Sequence, residues 1–299
     1  MQQPIATHQP HLDPRAEQLA LLSRVNTDDL LGGLGLDGVR RGRRLLEWLV
    51  QLPARRFAHD VITYDDAVGD AGLAAGGAWA IRRFAAGVTT NEQARYPRTG
   101  PTLFVANHPG LWDTTALFTA IERPDLRIVA AARPFLRALP NTSRYLFYID
   151  ETAASRTKTI RAIARHLRGG GAVLTFAAGQ IEPDPAVLPG ASEAIEQWSD
   201  SIDVFARFAS DLTIVPVIVS GVLSPAALRH PLTYIRRRPK DREWLAALLQ
   251  IQLRAYQRAM VNVAFGNPIS VAAHRSEAAI SSVVKAEARR LIAQIAPQQ

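Results

Sequence analysis

The residues with the most chemistry in them stand together at Asn107-His-Pro-Gly-Leu-Trp-Asp113, where a run of apolar residues passes into a polar loop and then a helical stretch. A histidine at a strand's end and an aspartate five residues on, in the first turn of the next helix, approach one another across such a loop. The carboxylate then holds one ring nitrogen and fixes the tautomer. With an unperturbed pKa of about 6.5, the neutral ring takes a proton from an alcohol near neutral pH. A hydroxyl so activated attacks a carbonyl directly, and the protein need supply no nucleophile. Gly110 allows close backbone approach within the loop. A plainer reading stands beside this one: an aspartate is favoured at any helix start, and His108 then merely ends a strand.

Other constellations fail on context. Gly33-Leu-Gly-Leu-Asp-Gly38 has the glycine spacing of a dinucleotide site, but it follows Thr27-Asp-Asp-Leu-Leu31 rather than a strand, and reads as a turn between helices. There is no Walker loop, no paired zinc-binding histidines and no serine elbow. With no carboxylate cluster beside them, His8 and His11 read as solvated tail residues; His59, His166, His230 and His274 read as surface or packing residues.

The elements that must position the loop follow from periodicity. Apolar runs of strand length fall at 102–106, 127–131, 145–149, 172–176, 213–220 and 261–265, and helical stretches at 111–122, 156–168, 190–209, 241–259 and 275–295. Gly169-Gly-Gly171 supplies a left-handed end to the second of these helices. The alternation predicts an α/β fold: a mixed central sheet flanked by helices, with an N-terminal helical region. We divide the chain into a flexible tail over 1–14, the helical region over 15–98 and an α/β domain over 99–299. Three or four helices are expected in the first region, broken at Gly32-Gly33, at Pro53 and around Gly69.

Composition narrows the classes. Of 299 residues, 47% are apolar and 21% charged, which suits an ordinary globular chain. Zero cysteines exclude disulfides, thiolate metal sites and a cysteine nucleophile. Thirty-five basic against 27 acidic residues give +8, which favours anionic partners without choosing among them. No recognisable nucleic-acid module accompanies the charge, and no nucleic acid is expected as a partner. No signal-like start and no run of about 18 apolar residues is visible, so a cytoplasmic location with peripheral contact at the inner face of the membrane is expected.

The first motif and three later segments resemble the conserved blocks of the lysophosphatidate and glycerol-phosphate acyltransferase superfamily. Asn107-His followed by four residues and Asp113 resembles the first block, the HX4D motif; Phe147-Tyr-Ile-Asp150 the second; Leu174-Thr-Phe-Ala-Ala-Gly179 the third; Ile214-Val-Pro-Val-Ile218 the fourth. The resemblance spans roughly residues 100–222. It implies transfer of a fatty acyl group from an acyl-CoA or acyl-ACP thioester to the hydroxyl of a glycerol-phosphate-like or other lipid acceptor, as in phospholipid biosynthesis, with His108 as base and Asp113 as its orienter. The thioester is a co-substrate, and no metal or other cofactor is implied.

Two departures concern substrate. An arginine is usual near the second block, where this chain has Glu151, with Arg156 five residues later. A Phe-Pro-Glu-Gly-Thr type sequence is usual in the third block, where this chain reads Phe176-Ala-Ala-Gly-Gln180 and then Ile181-Glu-Pro-Asp184. The acceptor is left open by that change, and a catalytically silent acyltransferase-like protein that binds lipid or membrane is the alternative reading. Substrate contacts are expected from Asn107, Gly110, Arg133, Arg144, Arg156, Gly179 and Glu182, the arginines because guanidinium binds phosphate in bidentate fashion. Glu182 and Asp184 also read as parts of a surface turn set by Pro183 and Pro185. Arg40-Arg-Gly-Arg-Arg-Leu-Leu-Glu-Trp-Leu49, and Tyr234-Ile-Arg-Arg-Arg238 with Trp244-Leu245, resemble anchors for an anionic lipid surface, or helices that turn an apolar face to the core.

Overall fold

A computed structural model describes residues 13–91, 96–149, 152–274 and 279–295. Eight strands form one sheet: β1 (Gly87–Thr90), β2 (Thr102–Ala106), β3 (Arg127–Ala131), β4 (Leu146–Ile149), β5 (Ala172–Phe176), β6 (Thr213–Ser220), β7 (Met260–Phe265) and β8 (Ile269–Ser270). Their order is β1-β7-β6-β2-β5-β3-β4, with β8 paired to β6. β6, β2, β5, β3 and β4 run parallel, β7 and β8 run antiparallel to β6, and β1 runs parallel to β7. The mixed sheet read from the sequence is therefore the one observed, as are its six principal strands.

The helices are α1 (Pro14–Gly33), α2 (Arg43–Phe84), α3 (Asp113–Ala120), α4 (Pro134–Arg137), α5 (Pro140–Ser143), α6 (Ala153–Arg168), α7 (Ala191–Ala194), α8 (Ser201–Ala206), α9 (Pro225–Leu228), α10 (Pro239–Gln252) and α11 (Ile280–Ala293). Strands buried on both faces need cover on both. Phe104, Leu174, Val215 and Val217 point to one side, where Val68, Ile81 and Phe84 of α2 and Ala116 and Leu117 of α3 cover them. Leu103, Val105, Val173 and Ile214 point to the other, against Ile163 and Leu167 of α6 and Val284, Ala288 and Leu291 of α11.

Three expectations are corrected or located. The helix runs through Pro53, whose missing N–H removes one helical hydrogen bond on a surface where Leu49 and Leu52 stand exposed. The break expected around Gly69 falls at Ala71-Gly72, where Gly72 takes φ +83°, so α2 is two helical segments meeting at a kink. β1 lies inside the stretch read as wholly helical; it joins the sheet through β7. His8, His11, Asp150 and Glu151 lie outside the described residues.

Topology already points to one place in this sheet. From β2 the chain crosses to β3 on one side, and from its neighbour β5 it crosses back over to β6 on the other. The loops leaving the carboxyl ends of β2 and β5 therefore diverge and open a crevice, the usual ligand position of such sheets.

Candidate active site

His108 stands in the loop that leaves β2, two residues past its end, and Asp113 is the first residue of α3. The loop between them turns through Gly110 at φ +86° and Leu111 at φ +53°. Leu111 is the one non-glycine residue at positive φ among the described residues, so the turn stores strain between His108 and Asp113. Asp113 is 1% exposed and fully engaged. Its Oδ2 accepts from His108 Nδ1 at 2.7 Å and from the Gly110 N–H at 2.7 Å, and its Oδ1 accepts from the Thr114 N–H and from Thr114 Oγ1. An ionised carboxylate only accepts, so Nδ1 carries the proton and Nε2 has the free lone pair. No described residue hydrogen-bonds Nε2, and the His108 side chain keeps 29% exposure.

The rest of the ring's setting comes from the neighbouring strand. Ala106 pairs with Phe176 across β2 and β5, and the Phe176 ring stacks on His108 at 4.3 Å between centroids. Burial acts to lower the His108 pKa. The charge and hydrogen bond of Asp113, with the Glu182 charge beyond, outweigh burial and the opposing charge of Arg133, so His108 lies above the ordinary histidine value.

Each expected contact has a definite place. Asn107 is buried, and its amide clamps β2 to β6: Nδ2 donates to the Val219 carbonyl at 2.9 Å and Oδ1 accepts the Val219 N–H at 2.7 Å. Both its polar groups are thereby engaged with backbone. Gly110 serves Asp113, and Gly179, at φ +65°, faces open space. Arg133 is exposed and couples electrostatically to His108 and to Asp29 of α1. Arg144 and Arg156 are exposed and make no described contact with His108. Glu182 and Asp184 are buried, which overturns the surface-turn reading. Asp184 accepts from the backbone N–H groups of Ala186, Gly221 and Leu223 at 2.8–3.0 Å and so ties the loop after β5 to the loop after β6.

Phe176, Thr114 and Trp198 were not singled out from the sequence. Phe176 becomes a neighbour of His108 only through the order β2-β5, which no local pattern carries. Trp198 is an isolated aromatic in a helical stretch and gives no local signal. Among the described residues no group of three or more histidines, aspartates or glutamates is arranged to hold a metal, and no helix is long and apolar enough to cross a membrane.

The sequence model of the Acyltransferase family matches residues 87–220, from β1 to the end of β6, and so encloses all four blocks and the His108–Asp113 pair. Over that stretch the chain is similar to the Acyltransferase family. Of solved structures, the crystal structure of the 1-acyl-sn-glycerophosphate acyltransferase PlsC from Thermotoga maritima is similar at 15% identity and a TM-score of 0.43, over 93% of this chain and 96% of that one. Those figures describe a loose overall likeness. No curated relative matches the sequence significantly. The matched stretch includes the crevice between the β2 and β5 loops, beside which His108 and Asp113 stand.

Proposed function

We propose that the protein moves a fatty acyl group from a coenzyme A or acyl carrier protein thioester to the hydroxyl of a glycerol-phosphate-like or other lipid acceptor, with His108 as general base and Asp113 as its orienter. The observation that carries this reading is the 2.7 Å contact between Nδ1 and Oδ2, which leaves Nε2 unprotonated and free. The acceptor O–H gives its proton to Nε2 as its oxygen bonds to the thioester carbonyl carbon. The tetrahedral intermediate then collapses, the carbon–sulfur bond breaks, and the leaving thiolate takes the proton back from the imidazolium. The buried Asp113 carboxylate favours the imidazolium form between the two transfers. Arg133 is the expected anion contact with the best support, since its charge is felt at His108.

Peripheral membrane contact belongs to the same proposal. Leu45, Trp48, Leu49 and Leu52 are exposed at the start of α2 beside Arg40, Arg41 and Arg44. Leu232, Tyr234 and Ile235 are exposed near Arg237 and Arg238. Trp244 packs over Gly32 and Arg236 over Gly35, so the second stretch adjoins the turn that leads into the first. Apolar side chains rimmed by arginine suit an anionic leaflet, each basic residue near it contributing about 1 kcal/mol.

The test is release of free thiol from long-chain acyl-CoA and from acyl carrier protein thioesters with a panel of lipid hydroxyl acceptors, comparing the parent with His108→Ala and Asp113→Asn. Equal rates in all three would sink the mechanism. Liposome binding without turnover on any acceptor favours the silent lipid-binding reading, to which Ala177-Ala178 in the third block lends its support.

A further inference from the structure

Glu182 was expected to meet substrate, and it faces the protein instead. Its N–H donates to the His108 carbonyl at 2.8 Å, and its Oε2 accepts the His108 N–H at 2.8 Å. One residue thus closes both backbone hydrogen bonds of His108. Its Oε1 accepts the Trp198 indole N–H at 2.8 Å, and Trp198 is itself buried. A buried carboxylate is costly unless it is hydrogen-bonded or paired with charge. Here both oxygens are occupied by neutral protein donors, and the positive charge that acts on the carboxylate is that of the His108 imidazole.

We propose that Glu182 is a positioning residue for acyl transfer, clamping the His108 backbone in register with Asp113 and setting a second buried negative charge near the ring to hold the imidazolium. The proposal rests on His108 acting as the base. Its geometric part follows from the clamp: His108 is in a loop next to a strained turn, and a displacement of about 1 Å at such a site costs up to about 100-fold in rate. Its electrostatic part follows from the charged groups that face the ring. Asp113 from α3 and Glu182 from the loop after β5 both favour its protonated form, while Arg133 from the segment after β3 opposes it. Burial raises the Glu182 carboxyl above its ordinary range, against the pull of Trp198 and of the His108 N–H, so the charge it contributes is fullest above that range.

The experiment follows the His108 ring by NMR in protein carrying 13C-labelled histidine, the resonance being identified by its loss in His108→Asn. Glu182→Gln keeps the shape and removes the charge. The His108 titration midpoint is expected to fall, kcat to drop about 10-fold to 100-fold, and the acceptor KM to stay within about twofold. An unmoved midpoint overturns the proposal, and so does a raised acceptor KM at unchanged kcat, which would make Glu182 an acceptor contact. Should Glu182→Gln not fold, Trp198→Phe removes one donor and leaves the charge. A fall in kcat at constant KM then supports the clamp, and an unchanged kcat overturns it. The titration needs no turnover, so a midpoint that falls in a protein without activity supports the clamp while overturning only the acyl-transfer reading.

Discussion

The loops that leave β2 and β5 sit side by side and are built on opposite plans. In the first, Asn107 to Asp113, an aspartate at a helix start aims its carboxylate at a histidine, and the histidine presents one unengaged nitrogen to the crevice. In the second, Ala177 to Asp184, the carboxylates of Glu182 and Asp184 turn inward to backbone and indole donors. What remains outward is Gly179, Gln180 and the exposed Ile181. The comparison teaches that the first loop keeps a histidine with one unengaged nitrogen and a buried carboxylate partner, while the second presents no charged side chain outward. Under the proposed function, reaction type and acceptor choice would be separable, each belonging to its own loop.

That separation can be broken by mutation. The largest effect is expected for His108→Ala, with kcat down about 10²-fold to 10⁴-fold in thiol release, and Asp113→Asn next at about 10²-fold. The pH profile sharpens the same point. Because Asp113 holds the proton on His108 to higher pH than usual, and only the neutral ring accepts a proton, activity in the parent is lost as pH falls through a midpoint above the ordinary histidine value. Asp113→Asn is expected to move the acid limb of kcat/KM downward, and an unmoved limb would assign it to another group.

Away from both loops, Trp48→Glu with Leu49→Glu is expected to reduce cosedimentation with anionic vesicles by more than about tenfold while leaving turnover on a dispersed short-chain acceptor unchanged. Gly110→Ala places a Cβ 3.3 Å from Ile181 Cδ1 at a positive φ, and is expected to cost about 1–2 kcal/mol in a denaturant melt. The smallest effect is expected in the second loop. Gln180 is exposed and bonds only Gln197 among described side chains, so Gln180→Ala should change stability by less than about 0.5 kcal/mol. A loss of activity there equal to that of Asp113→Asn would end the contrast between the loops.

Much of this is legible in the amino-acid sequence. Strands buried on both faces announce themselves as continuous apolar runs, which is why β2, β5 and β6 were found at their observed bounds. The Gly169-Gly-Gly171 stop was legible because Gly170, at φ +84°, takes a conformation that costs other residues more. β1 was not legible, since Gly87-Val-Thr-Thr90 is four residues long, half-exposed, and a strand only because β7 lies beside it. Pro53 misled because a proline's cost depends on where the freed carbonyl faces, a fact of tertiary structure.

The same division holds for the reacting groups. The sequence by itself determined the His108–Asp113 pair, because five residues across one strand-to-helix turn leave the two side chains little freedom to be elsewhere. Only the tertiary structure decided that Phe176 stacks on that ring, that Asn107 serves Val219, and that Glu182 faces His108 and Trp198 rather than the crevice. Those contacts join segments brought together by the strand order β6-β2-β5 and by burial, and short-range spacing carries no record of either.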